Sequence, residues 1–198
     1  MDINENPCLI GVKRKMIRLR EIGPDDKEMI RKWRNMPEVM KSGYNQHVVT
    51  KEEHDSWYQR VLYDSSCKYW IIVCDGEDVG LVSINDIENA HKRCKWAFYV
   101  ASPNMRGKGI GSYAEYFVLK YVFEELKLNK LYGEVLSSNK YVINMHKGFG
   151  FTEEGLYLEH VILHDEPQDV IAVAMFRSKW LEIKPRVEER LRKKGILL

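Results

Sequence analysis

The sequence predicts a mixed α/β (α+β) domain built on one mostly antiparallel sheet of about seven strands flanked by helices. Three observations predict it. Short apolar runs of strand length recur along the chain, several joined by hairpin-type turns. Their order with the helical stretches is strand, two helices, three strands, helix, strand, helix, two strands. A glycine-rich turn separates the third of the central strands from the longest apolar helix. Strict β-α alternation is absent, so a doubly wound dinucleotide fold is excluded.

Met16 to Arg20 alternates apolar and basic residues, as a half-buried strand does. Gly23-Pro24-Asp25-Asp26 supplies a turn and a helix start. The helix that follows carries Met29, Ile30 and Trp33 on one face, and Pro37 ends or kinks it. Thr50-Lys51-Glu52-Glu53 is a capping box for a second helix bearing His54, Trp57, Tyr58 and Val61. Tyr69 to Cys74 is a continuous apolar strand. A hairpin turn at Asp75 to Asp78 leads to a strand over Val79 to Ile87. Lys95 to Ala101 forms the next strand. A helix is expected from about Ser112 to Leu126, a strand from Lys130 to Leu136 and a short helix from Asn139 to Gly148. Two strands, near Phe151–Leu163 and Asp169–Phe176, precede a charged helix from about Pro185.

The chain has 198 residues, 44% hydrophobic and 30% charged, enough for one filled domain. Residues 1–15 read as a leader, 16–178 as the main domain and 179–198 as a charged C-terminal helix. A net charge of +2 argues against a nucleic-acid binder that works through a basic field. The basic groups Lys13-Arg14-Lys15 and Arg190 to Lys194 read as solvated. No apolar run nears the roughly 18–20 residues of a membrane span, and no secretory h-region is evident. Cys8, Cys67, Cys74 and Cys94 form no C-x-x-C pair and read as free thiols. A cytoplasmic protein without membrane partners is expected. His160 and His164 lack a third ligand nearby, so no metal is expected.

The loop Arg106-Gly107-Lys108-Gly109-Ile110-Gly111, running on into Ser112, carries the chemistry. A turn entering a helix exposes backbone N–H groups at the positive end of the helix dipole. Glycines let phosphate oxygens approach that backbone, and Arg106 and Lys108 add charge. The spacing fits neither the dinucleotide fingerprint nor the P-loop. Its context is more specific: Trp96 to Val100 and Pro103 precede it. Glu134-Val135, Asn139, Asn144 to Phe151 and Glu154-Gly155 follow in order. Over residues 16–178 the chain thereby resembles the GNAT acetyltransferase superfamily.

That resemblance implies a splayed sheet with acetyl-CoA wedged between the strands ending near Ala101 and Leu136. The loop would hold its pyrophosphate. Backbone groups near Val100 would hold the acetyl carbonyl and pantetheine arm, with Asn139 on the pantetheine side. His146 stands where the family pattern has a tyrosine acid. It is therefore a candidate acid for the departing thiolate, or a simple contact of the CoA arm. Amine acetylation also needs a base, and Glu134, a carboxylate in an apolar strand, is the candidate. Ser83 is a candidate helper through water.

Trp33-Arg34-Asn35, Val39, Tyr44 and the stretch Thr50 to Trp57, with His54 in it, resemble the pseudaminic-acid branch of the family, which implies N-acetylation of a UDP-linked 4-amino-4,6-dideoxy sugar. A nucleotide sugar needs cations for its diphosphate and an aromatic face for its base. Arg34 and His54 are expected at the phosphates; Tyr44, Trp57 and Tyr99 at the uracil or the 6-methyl group. The same helical spacing also suits core positions for Trp33 and Trp57. Polyamine acetylation stays open, since Glu52, Glu53 and Asp55 offer carboxylates. So do acetylation of a ribosomal-protein N-terminus and a non-catalytic CoA-binding module. Exposed C-terminal strands suggest a homodimer.

Overall fold

The computed structural model describes residues 15–197; residues 1–14, with Cys8 and nearly all of the expected leader, lie outside the described residues. The elements are β1 (Ile17–Glu21), α1 (Lys27–Arg34), α2 (Pro37–Met40), α3 (Lys51–Tyr63), β2 (Lys68–Cys74), β3 (Glu77–Glu88), β4 (Arg93–Val100), α4 (Ile110–Lys120), β5 (Lys130–Leu136), α5 (Lys140–Phe149), β6 (Thr152–Leu163), β7 (Glu166–Phe176) and α6 (Arg177–Lys193). They form one seven-stranded sheet in the order β1-β2-β3-β4-β5-β7-β6. Every neighbouring pair is antiparallel except β4–β5.

The unbroken apolar run of β2 follows from burial on both faces. Successive side chains of a strand point to opposite sides. Ile71 and Val73 meet Ile30, Trp33 and Tyr58 of α1 and α3. Trp70, Ile72 and Cys74 share the opposite core with Ile110, Val118 and Leu119 of α4. A half-buried strand would alternate; a central one need not. Arg20 joins the first layer to the sheet edge, bonding Asp26 at 2.8 and 2.7 Å and Asp78 at 2.6 and 3.3 Å. Thr50 and Glu53 close the expected capping box on α3.

α4 is apolar nearly all round because it lies between the sheet and α6. Its last turn, Tyr121–Glu125, widens to π geometry, with Leu126 N–H donating to the Tyr121 carbonyl. The closing helix differs from expectation. It starts at Arg177 rather than near Pro185, and Pro185 sits inside it. Tertiary contacts hold it despite the proline. Trp180 is fully buried and donates to Glu124 at 2.9 Å, and Tyr116 donates to Glu188 at 2.8 Å. Arg190 lies 4.6 Å from the Phe149 ring centroid and donates to the Gly148 carbonyl at 2.6 Å. No helix of the described residues is long and apolar enough to cross a membrane.

Candidate active site

The one parallel pairing is short. β4 and β5 match only at Arg93–Lys130, Cys94–Leu131 and Lys95–Tyr132. Beyond these positions the strands part. Trp96 stands at the fork, where a Cβ on Gly133 would lie 3.5 Å from both its indole and its carbonyl. The gap is a cleft of about 460 Å³, walled by Trp96 to Val100 on one side and Gly133 to Val135 on the other. Past Lys95, the β5-facing edge of β4 has no strand partner among the described residues.

The glycine loop forms the wide end of this cleft, through Arg106, Gly107, Gly109, Ile110 and Gly111. Gly107 and Gly109 have φ of 72° and 87°, a region that disfavours side chains. Gly109 is the N-cap of α4, so the unpaired first amides of that helix belong to Ile110, Gly111 and Ser112. Gly111 is constrained by packing: a Cβ there would lie 3.0 Å from Phe98 and 3.3 Å from the Met145 sulfur. Arg106 folds back and donates to the Val100 carbonyl at 3.3 and 3.2 Å, tying loop to strand. Lys108 and Ser112 do not line the cleft. The Lys108 carbonyl accepts from Lys15 at 2.8 Å, and Ile196 packs against Gly109. Both described ends of the chain, bridged as Lys15–Ile196, thus buttress the loop from behind.

Asn139, Tyr141, Val142 and His146 complete the cleft. Asn139 caps α5, its Oδ1 accepting from Val142 N–H at 3.3 Å. His146 is buried between Trp96 and Phe151, at ring distances of 5.3 and 4.9 Å. Its Nδ1 lies 2.8 Å from Oε1 of Glu115, a fully buried carboxyl on α4. Burial pushes the Glu115 carboxyl above the usual carboxylate range, against the pull of the His146 hydrogen bond. Glu115 escaped the sequence reading, although a carboxyl amid Ala114, Tyr116 and Val118 is a readable anomaly.

Glu134 lies in the cleft wall and is solvent-exposed. The parting of the strands is the reason, since it opens one face of β5. Tyr44 reaches across to donate to Glu134 at 3.1 Å. Burial, and next the Glu134 charge, push the Tyr44 phenol well above its ordinary value, so it remains a donor.

A second cavity of about 530 Å³ lies beyond β4, and Val39, Ser42, Ala97, Phe98 and Tyr99 line both. Arg34, His54, Trp57 and Ser83 line only this second chamber. Arg34 donates to the Asn45 carbonyl at 3.3 Å and pairs with no carboxylate among the described residues. The Tyr99 hydroxyl has no partner among them either, and burial pushes its pKa up. Trp57 meets Tyr69 edge-on at 5.3 Å. Ser83 accepts from Asn85 at 3.0 Å and lines this chamber, whereas Glu134 lines the cleft.

His54 departs from its expected place at the phosphates. Its Nε2 lies 2.8 Å from the Lys27 carbonyl, and burial holds its pKa below the usual imidazole value. It contributes a neutral ring to the wall. Residues 41–49 roof the chamber. Asn35 pins them, donating to the Val49 carbonyl at 2.9 Å and accepting from Val49 N–H at 2.8 Å. Among the described residues no His, Cys, Asp and Glu group has metal-site geometry, His160 and His164 included.

The profile of the Acetyltransferase (GNAT) domain family matches residues 16–152, from β1 to the start of β6. The chain belongs to the GNAT acetyltransferase family. This GNAT enzyme is 30% identical over 170 residues to acetyltransferase PseH of Campylobacter jejuni, covering 82% of this chain and 96% of the relative. It is 26% identical over 165 residues to spermidine N(1)-acetyltransferase of Escherichia coli, covering 83% and 88%. Its fold superposes with a TM-score of 0.79 on spermidine N-acetyltransferase of Vibrio cholerae, solved with CoA and spermine, at 23% identity over 83% of this chain and 98% of that one.

Proposed function

We propose that this enzyme moves the acetyl group of acetyl-CoA to the 4-amino group of a UDP-linked 4-amino-4,6-dideoxy sugar, by direct attack in a ternary complex. In this reading the amides of Ile110 and Gly111, with Arg106 beside them, face the CoA diphosphate, and Lys108 and Ser112, outside the cleft lining, contribute only through the loop and the start of α4. The free edge of β4 near Val100 meets the pantetheine amides, and Asn139 meets the arm from the other side. The acceptor enters through the second chamber, whose shared wall at Tyr99 brings its amine to the thioester. Glu134, steadied by Tyr44, takes the amine proton, and His146 supplies one to the leaving thiolate. Ser83, held by Asn85, sits too far into the acceptor chamber for the thioester and orders solvent or a sugar hydroxyl there.

The observation that carries the acceptor assignment is the charge of the second chamber. Arg34 offers a guanidinium without a carboxylate partner, suited to a diphosphate, and Trp57 offers an aromatic face. The carboxylates that a polyamine site needs are spent elsewhere. Asp55 pairs with Lys27 and Lys51. Glu52 does not line the chamber. Glu53 does, but accepts from Thr50 N–H and sits 3.3 Å from His47. Spermidine remains the second reading, favoured by the E. coli relative. Three buried free thiols suit a reducing cytoplasm. Exposed Leu156, Leu158 and Ile162 on the edge strand β6 suit a homodimer, which light scattering would test.

Free thiol released from acetyl-CoA, measured with the UDP-amino sugar, spermidine and a peptide in separate reactions, tests the acceptor. Transfer to spermidine alone defeats the sugar reading. Glu134→Gln is expected to lower kcat about 100-fold while leaving the CoA Kd within about two-fold. An unchanged kcat removes Glu134 as the base.

A further inference from the structure

We infer that Glu115 and His146 act as one buried proton-holding unit, with Glu115 the positioning residue that keeps a proton on the His146 Nε2 facing the cleft. This inference rests on the acetyl-transfer reading and deepens it.

Three features of geometry carry it. The Nδ1–Oε1 contact of 2.8 Å joins the two groups directly, with side-chain exposures of 4% and 0%. The other carboxyl oxygen, Oε2, is buried without a hydrogen-bond partner among the described residues. His146 lines the cleft, and Nε2 has no protein partner among the described residues.

An ionised carboxylate with one orphaned oxygen, beside a neutral imidazole, would leave a net negative charge in a dry interior. That is the costly state. The pair therefore favours a second proton, which makes it neutral overall. It has two ways to arrange that: carboxylate with imidazolium, or carboxylic acid with imidazole. In both, Nδ1 is satisfied by the carboxyl, so the remaining N–H sits on Nε2. Burial of Glu115 pushes its proton affinity in the same direction. One other charged group bears on the pair. Arg190 of α6 opposes protonation weakly, and its guanidinium is already engaged by the Gly148 carbonyl. Trp96 and Phe151, the other neighbours, carry no charge.

The step balances as follows. As the tetrahedral adduct collapses, the C–S bond breaks and its electron pair goes to sulfur. The Nε2–H bond breaks and an S–H bond forms, giving the CoA thiol. If the carboxyl holds the second proton, it passes to Nδ1 in the same event. The unit is left as Glu115 carboxylate with neutral Nδ1–H imidazole. A solvent proton entering by the cleft restores it.

The test is the 15N imidazole spectrum of the full chain at neutral pH without substrates. His146 is expected to carry a proton on Nε2, and Glu115→Gln is expected to leave that nitrogen less protonated. With the UDP-amino sugar as acceptor, Glu115→Gln should lower kcat about 10-fold or more, with little change in KM for acetyl-CoA. In a His146→Tyr background the same change should alter kcat by less than about two-fold. A bare Nε2 at neutral pH overturns the inference, as does an equal fall of kcat in both backgrounds. Failure of the wild type to acetylate the sugar sinks the acceptor reading alone, because the spectrum reads the pair without any acceptor.

Discussion

Gly109→Ala separates the loop's structural cost from its proposed hold on CoA. Gly109 caps α4 with φ of 87° and ψ of 0°. A side chain in left-handed backbone costs about 1–2 kcal/mol. The new Cβ would also meet the Ile196 Cδ1 methyl at 2.9 Å, which a small shift of that flexible end relieves. A total near 2 kcal/mol lowers Tm by about 4–8 °C in a domain of this size. The ligand effect comes on top. Relaxing φ turns the first α4 amides away from the diphosphate. Losing one charge-assisted hydrogen bond, at about 1.5–3 kcal/mol, weakens CoA roughly 10- to 100-fold. At CoA about a hundred times the wild-type Kd, the wild type gains about 2.7 kcal/mol, and a variant bound about thirty-fold more weakly gains about 0.9 kcal/mol. Thermal melts with and without CoA read both quantities. Gly76→Ala is the control: its φ is 91° with no described atom within 4 Å of the new Cβ, and it does not line the cleft, so it loses stability alone. A Gly109→Ala protein that melts early yet keeps the full CoA-induced shift would refute the reasoning.

Asn35→Ala removes both hydrogen bonds to Val49, each worth about 1 kcal/mol, and frees the roof of the acceptor chamber. Steady-state kinetics should show acceptor KM rising several-fold, with acetyl-CoA KM unchanged. Asp26→Asn breaks the pairing with Arg20 and should cost about 2 kcal/mol in urea unfolding at neutral pH, between the values for exposed and buried pairs. Arg20, ahead of the Gly23 amide, holds the Asp26 carboxyl below its ordinary value of about 3.9. The stabilisation is therefore complete above that value and fades as pH falls through the lower folded-state pKa. The wild-type advantage over Asp26→Asn should be flat from about pH 5 to 7 and shrink below about pH 4; an advantage unchanged in acid would contradict the assignment.

The sheet was legible because its signals are local. Hairpin turns, a capping box and apolar runs each state their own geometry, and all seven strands stand where these signals put them. The start of α6 was not legible. Pro185 reads as a boundary, and only the burial of Trp180 against Glu124 outweighs it. At the site, the glycine loop declares itself by its residues, the family resemblance marks Asn139 and His146, and the fold gathers them into one cleft with Glu134. What spacing cannot express is pairing across the chain. Glu115 and His146 stand 31 residues apart, and Tyr44 and Glu134 stand 90 apart. A carboxylate in the apolar strand β5 points to a cleft or a partner, and Glu134 stands in the cleft wall with Tyr44 beside it. Its degree of exposure depends on how far β4 lies from it, which no segment of β5 encodes.

A strand edge with open hydrogen-bonding groups usually invites a foreign chain, and proteins blunt such edges with charge or proline. Here the open edge is internal. It lies in a wedge narrowing to the Trp96 fork, between Trp96 to Val100 and Gly133 to Val135. Under the proposed reading, the parting that withholds rungs from the ladder leaves those main-chain groups to the amides of the donor. Side chains around the rim are then free to vary with the acceptor.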